Sequence, residues 1–98
     1  MELSIVILSY NTQRFTIKCI EAIVSQYKKQ LENGEIEIMV VDNASTDASV
    51  SAISKLQLSI SNLKLIKNKE NFGFAKGCNA GARGSCGKYI LFLNSDTK

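Results

Sequence analysis

The amino-acid sequence predicts an α/β fold: a parallel sheet in strand order 3-2-1-4 with helices on both faces, built by residues 1–98 as a single domain. Three observations carry this expectation. Apolar, β-branched runs alternate along the whole chain with segments whose apolar residues fall three or four apart. No proline, low-complexity linker or internal repeat interrupts that alternation. With 98 residues, 45% of them hydrophobic and 21% charged, the chain has the apolar material for one compact core.

Residues 3–8, LSIVIL, are aliphatic with almost no polar interruption, as in a strand covered on both faces. From 13 to 31 the period changes: Ile20, Ile23, Val24, Tyr27 and Leu31 form one apolar stripe, and Asn33-Gly34 ends this amphipathic helix. A second strand follows over 36–41. A second helix is expected from Ser45-Thr46-Asp47, where the serine can cap and the aspartate favours the dipole, to about Leu58. Residues 63–67 form a third strand whose lysines suit a sheet edge. A helix-like stretch runs from Asn71-Phe72-Gly73 to Gly87, and 89–93, YILFL, is the fourth strand. With the charged third strand at an edge and the apolar first and fourth strands central, the order is 3-2-1-4. The topological switch then falls between strands one and four, where Ser9-Tyr10-Asn11 and Asn94-Ser95-Asp96 face a common crevice.

Composition narrows the function classes. The net charge of +3 comes from 12 basic and 9 acidic residues scattered along the chain, so the clustered bases of a nucleic-acid footprint are missing. Three cysteines, Cys19, Cys78 and Cys86, form no C-x-x-C pair, and no histidine is present to complete a zinc set or a serine or cysteine catalytic pair. They read as reduced thiols of a cytoplasmic protein. The amino terminus carries Glu2 in place of a basic flank, and its apolar run is too short for a signal core or a membrane span.

Two of the three aspartates, Asp42 and Asp96, follow directly on apolar strands, where a carboxylate is either a solvated loop starter or a ligand group. Their shared rim favours the ligand role. Asp47 reads as a helix N-terminal residue. Asn94-Ser95-Asp96 is either a plain turn or half of a site for a hard cation, Mg²⁺ or Mn²⁺, with Asp96 as the carboxylate and Asn94 acting through water. Gly73, Gly77 and Gly81 recur one helical turn apart, and each costs about 1 kcal/mol relative to alanine in a helix interior. Their spacing suits close helix–sheet packing or close approach of the backbone to a ligand. Lys76 and Asn79 share this stretch; either is a solvated helix residue or a ligand contact. Neither G-x-G-x-x-G nor G-x-x-x-x-G-K-[ST] occurs.

VILSYNT, VVDNASTDAS, ENFGFAKGCNAG and YILFLNSDT, in this order and at these separations, strongly resemble the nucleotide-binding half of family 2 glycosyltransferases of the GT-A fold, a Rossmann-like sheet. The resemblance spans essentially the whole chain and implies a site for a nucleotide-diphosphate sugar. By analogy, Ser9, Tyr10 and Asn11 line the base, and Asp42 accepts a hydrogen bond from the pyrimidine imide or the ribose. Asn71, Gly73, Lys76, Gly77 and Asn79 border the nucleoside and diphosphate. Asn94 and Asp96 occupy the family's D-x-D positions, with Asp96 facing Mg²⁺ or Mn²⁺.

Asn94 departs from the family's first aspartate, a variant similar to the N-x-D of rhamnosyltransferase-like members, which tilts the donor toward dTDP-rhamnose or a UDP-sugar. The family's general base and the half that holds a glycan or lipid-linked acceptor normally follow the D-x-D motif, so the chain is expected to be an amino-terminal portion, inactive in transfer when alone. Cell-envelope polysaccharide biosynthesis, in a cytoplasmic or membrane-associated parent, is the implied setting. An exposed fourth strand would favour self-association. The rival classes are a non-catalytic α/β nucleotide-binding or interaction module and a nucleotidyltransferase on a similar sheet.

Overall fold

The computed structural model describes residues 2–70, 84 and 87–94. It contains strand β1 (Leu3–Ser9), helix α1 (Gln13–Glu32), strand β2 (Ile36–Asp42), helix α2 (Ser49–Gln57), strand β3 (Leu63–Lys67) and strand β4 (Tyr89–Asn94). All pairings are parallel, as the alternation of strand and helix predicts, and the order is β3-β2-β1-β4, the order expected from a charged third strand at an edge. The register places Ser9 opposite Asp42 and Leu8 opposite Asn94.

Strand alternation assigns each side chain to a face. Ile5 and Ile7 of β1, Ile36, Ile38 and Val40 of β2, and Leu63 of β3 meet Ile20, Ile23 and Leu31 of α1 and Ile53 of α2 in the main core. Both described helices therefore cover the same side of the sheet. Val6, Met39 and Val41 form a second, smaller cluster on the opposite side, with Leu8 and Ile66 against it. Gly84 lies on that side, since a Cβ there would meet Ile66 Cδ1 at 3.1 Å and Met39 Cε at 3.3 Å. The expected third helix falls almost entirely outside the described residues.

The first helix ends as the sequence predicts. Asn33 and Gly34 close it, Gly34 with a φ of +81° that a side chain would resist. The helix is not uniform, because Tyr27 leaves helical geometry at φ −127°, ψ 30°. Asn62, itself at φ 58°, donates its side-chain N–H to the Leu31 carbonyl at 2.7 Å and so ties the end of α1 to the start of β3.

Two expectations are corrected. Helix α2 starts at Ser49, with Ala48 at the cap position and no side-chain capping bond, so Ser45 does not cap it. The physical reason is competition: the Ser45 hydroxyl is given to Asp42. The apolar fourth strand is also not central among the described residues. It forms the second edge, with Tyr89, Ile90, Leu91 and Phe92 exposed, whereas β2, which contains Glu37 and Asp42, is buried along its whole length. Composition counts apolar side chains, but a strand's place depends on its neighbours.

Candidate functional site

The carboxyl ends of the strands build a rim from two loops that are sewn together. Asp42, only 1% exposed, accepts the Ser45 backbone N–H at 2.9 Å through Oδ2 and the Ser45 hydroxyl at 2.5 Å through Oδ1. This closes the loop after β2 on itself. Asn11, in the loop after β1, clasps it from the other side: its Oδ1 accepts Thr46 N–H at 2.7 Å and Asp47 N–H at 3.2 Å, and its own N–H donates to Ser45 Oγ at 2.9 Å. Asn11 sits at φ 51° and Ala44 at φ 63°, left-handed conformations that L residues adopt at a cost. Asparagine tolerates that region better than most residues.

Beneath the rim, three hydroxyls anchor the start of α1. Thr16 donates to Ser9 Oγ at 3.2 Å, and Thr12 lies 3.1 Å from Thr16 and 3.4 Å from Ser9, with Ser9 and Thr16 fully buried. Asp47 joins the two helix starts, accepting Ser49 N–H and its hydroxyl at 3.0 and 2.5 Å and Gln13 N–H at 3.3 Å. Farther along the rim, Asn68 donates its side-chain N–H to Asn43 Oδ1 at 2.7 Å.

The predicted residues Ser9, Tyr10, Asn11 and Asp42 thus come together. Ser9 and Asn11 are occupied in holding the loops, Asp42 is bound by Ser45, and Tyr10, 45% exposed, presents a ring to solvent. Asn94 reaches the same rim by its backbone, one strand across from Leu8. Asn71, Gly73, Lys76, Gly77, Asn79 and Asp96 lie outside the described residues. Missed by sequence reasoning were Thr12, Thr16, Ser45 as an Asp42 partner, Asn43 and Asn68. The polar run after each apolar strand was the available signal. Among the described residues no group of three or more His, Cys, Asp or Glu gathers to hold a cation, and the Asp42 and Asp47 carboxylates are engaged by amides and hydroxyls.

Two predictions arise here. Asn11→Ala removes the clasp and leaves alanine in a left-handed conformation, a loss of about 1–2 kcal/mol by denaturant unfolding; Asn11→Gly, which relieves the backbone but restores no bond, should lose less. The second concerns acid. The Asp47 carboxyl is slightly desolvated, which raises its pKa, but the Ser49 hydroxyl and amide and the Gln13 amide together hold it below its ordinary 3.8. A depressed folded-state value stabilises the fold above the ordinary value, and that contribution disappears as pH falls through the folded one. Asp47→Asn should therefore flatten the part of the stability–pH curve below about pH 4, as read by thermal melts.

Comparison with known proteins fits this arrangement. The chain is 30% identical to S. aureus TarS 1–349 solved in complex with UDP-GlcNAc, with a TM-score of 0.78 over 98% of this chain and 27% of that one. The mannosyltransferase PcManGT of Pyrobaculum calidifontis, in complex with GDP-Man and Mn²⁺, shares the fold at a TM-score of 0.83 and 23% identity, over 97% of this chain and 27% of that one. The poly(ribitol-phosphate) beta-glucosyltransferase of Bacillus spizizenii is 32% identical over 98 residues, which are 98% of this chain and 15% of that enzyme. The chain thus spans less than a third of the proteins it resembles. The model of "Glycosyl transferase family 2" matches residues 4–98, so the chain belongs to glycosyl transferase family 2, and its parallel 3-2-1-4 sheet is the amino-terminal portion of a GT-A fold.

Proposed function

We propose that the crevice outside β1, β2 and β4 binds the nucleoside diphosphate of a sugar donor, UDP- or dTDP-linked, with rhamnose a candidate sugar. The observation that carries this reading is the register: Ser9 opposite Asp42 and Leu8 opposite Asn94 set a buried carboxylate and the start of Asn94-Ser95-Asp96 on either side of one strand end. The UDP-GlcNAc bound by TarS supports a uridine donor. In this reading Tyr10 stacks on the base within the loop of Ser9 and Asn11. Asp42 meets the imide or ribose through lone pairs that Ser45 leaves free.

Asn71, Gly73, Lys76, Gly77 and Asn79 border the nucleoside and diphosphate, and Asp96 with Asn94 holds Mg²⁺ or Mn²⁺ against the phosphates. Such a cation neutralises charge on the departing diphosphate. The full-length protein would transfer the sugar to a glycan or lipid-linked acceptor in cell-envelope polysaccharide assembly, at the cytoplasmic side of the membrane.

Calorimetric titration with UDP, dTDP and GDP, with and without Mn²⁺, tests the reading. Binding of UDP or dTDP that Mn²⁺ strengthens, and that Asp96→Ala returns to its metal-free level, is the expected result. Failure of every nucleotide to bind would leave the rival, a non-nucleotide interaction module, in its place. In a turnover assay with a panel of acceptors, the 98-residue polypeptide should transfer no sugar while one extended past Lys98 does.

The exposed β4 edge leads to a prediction about assembly. Ile90, Leu91 and Phe92 are 38%, 47% and 41% exposed on a strand that lacks a neighbour on one side among the described residues. Such an edge templates pairing. The isolated 98-residue polypeptide should self-associate in sedimentation velocity, and Ile90→Lys should shift it toward monomer.

A further inference from the structure

A polar chain crosses the sheet on the side away from α1 and α2, at the opposite end from the rim. Lys64 on β3 places its Nζ 2.6 Å from Oε1 of Glu37 on β2. Glu37 is fully buried, and its Oε2 accepts the hydroxyl of Ser4 on β1 at 2.5 Å. Ser4 Oγ in turn accepts the backbone N–H of Gly87, at the entry to β4, at 2.8 Å. The direction is forced, because an ionised carboxylate only accepts, so the serine spends its single proton on Glu37 and turns a lone pair to Gly87.

Burying Glu37 is costly, and replacing a buried ion pair by apolar residues of similar size often leaves stability unchanged or raises it. Stability alone therefore does not account for it. What β4 lacks is a strong register signal of its own. Tyr89 and Leu91 on one face and Ile90 and Phe92 on the other are all exposed, and among its described side chains only Leu93 packs, half-buried, against the main core. A slip along β1 consequently exposes and buries similar surface, the condition in which register is weakly specified. Ser4 over Gly87 is the point where a slip is resisted. One bond is made there, and any residue with a Cβ would come within 2.5 Å of the Ser4 backbone nitrogen.

We propose that Lys64, Glu37 and Ser4 are positioning residues that set the register of β4 and, through it, the place of Asn94 beside the rim. A slip of two residues moves the strand end by about 7 Å, more than a phosphate or metal contact tolerates. The consequence for donor binding rests on the function proposed above; the register itself does not.

The test uses Ser4→Ala and the double variant Glu37→Met/Lys64→Met, with NMR of the labelled chain. In the original sequence, cross-strand contacts should link Val6 to Phe92, its partner in the structure. In both variants β1, β2 and β3 should keep their amide protection. Amides of β4 should exchange about tenfold faster, and contacts from Val6 to Ile90 or Asn94 should appear. A single native register with unchanged β4 protection in the folded double variant overturns the proposal. Protection lost equally over all four strands, or failure of the double variant to fold, also overturns it, because the pair would then serve stability. Mn²⁺-dependent UDP affinity should fall about tenfold with the slip, about 1.4 kcal/mol. If register shifts while that affinity holds, the register inference stands and the donor assignment fails.

Discussion

Gly87→Ala is expected to separate β4 from β1 while leaving the rest of the sheet folded. An added Cβ would lie 2.5 Å from Ser4 N and 2.8 Å from Leu3 C, both backbone atoms of a strand held on its other side by β2. It would also lie 2.4 Å from Ser4 Oγ, which could rotate away only by releasing Glu37. No cheap adjustment relieves all three contacts. Overpacking of this kind costs about 1–3 kcal/mol, and backbone that cannot move puts the change at the upper end. Hydrogen exchange should show loss of protection over Tyr89–Asn94, with α1 and α2 unaffected. At the nucleotide site proposed above, affinity should fall with it, since Asn94 would no longer stand beside Leu8.

Asp42→Ala should have the largest effect at the rim, through two separable routes. The first is structural: the Ser45 N–H and hydroxyl lose their acceptor in a part-buried loop, a cost of about 1–3 kcal/mol visible in thermal melts. The second is nucleotide affinity, expected to drop more than about tenfold whether or not Mn²⁺ is present, because the proposed partner is the base or ribose. Asp42→Asn separates the routes. Its amide oxygen can still accept from Ser45, so stability should largely recover while nucleoside binding remains weakened. Recovery of both would show that Asp42 acts only by shaping the loop.

The shared rim was legible for the predicted residues that follow an apolar strand, because in a parallel sheet such positions meet at one end; Asn71, Gly73, Lys76, Gly77 and Asn79, read from the glycine-spaced stretch and the resemblance, and Asp96 lie outside the described residues. Ser9, Asp42 and Asn94 were placed at one rim this way. Ser45 was misassigned for a physical reason: a serine three residues after an aspartate and four before a helix can serve either, and only their spacing in three dimensions decides. The polar chain through Glu37 was not foreseen. A single glutamate within the run Ile36-Glu37-Ile38-Met39 was its sole trace, and its partners stand 33 residues before it, on β1, and 27 after it, on β3.

The sequence by itself determined the order of elements, their parallel pairing and the strand order β3-β2-β1-β4. The elements and their parallel pairing follow from apolar periodicity, which is local, and from the general rules for β-α-β connections; the order was read from the charge of β3, which marks an edge, although the premise of a central β4 did not hold among the described residues. The tertiary structure decided how the parts are held. Asn11 became a clasp for residues 34 to 36 positions away, and Gly87 a close-contact point for Ser4, 83 positions before it. Contacts at such separations depend on chain paths that no local pattern encodes. The same glycine, serine or glutamate reads as turn, cap or surface charge until the sheet brings its partner within bonding distance.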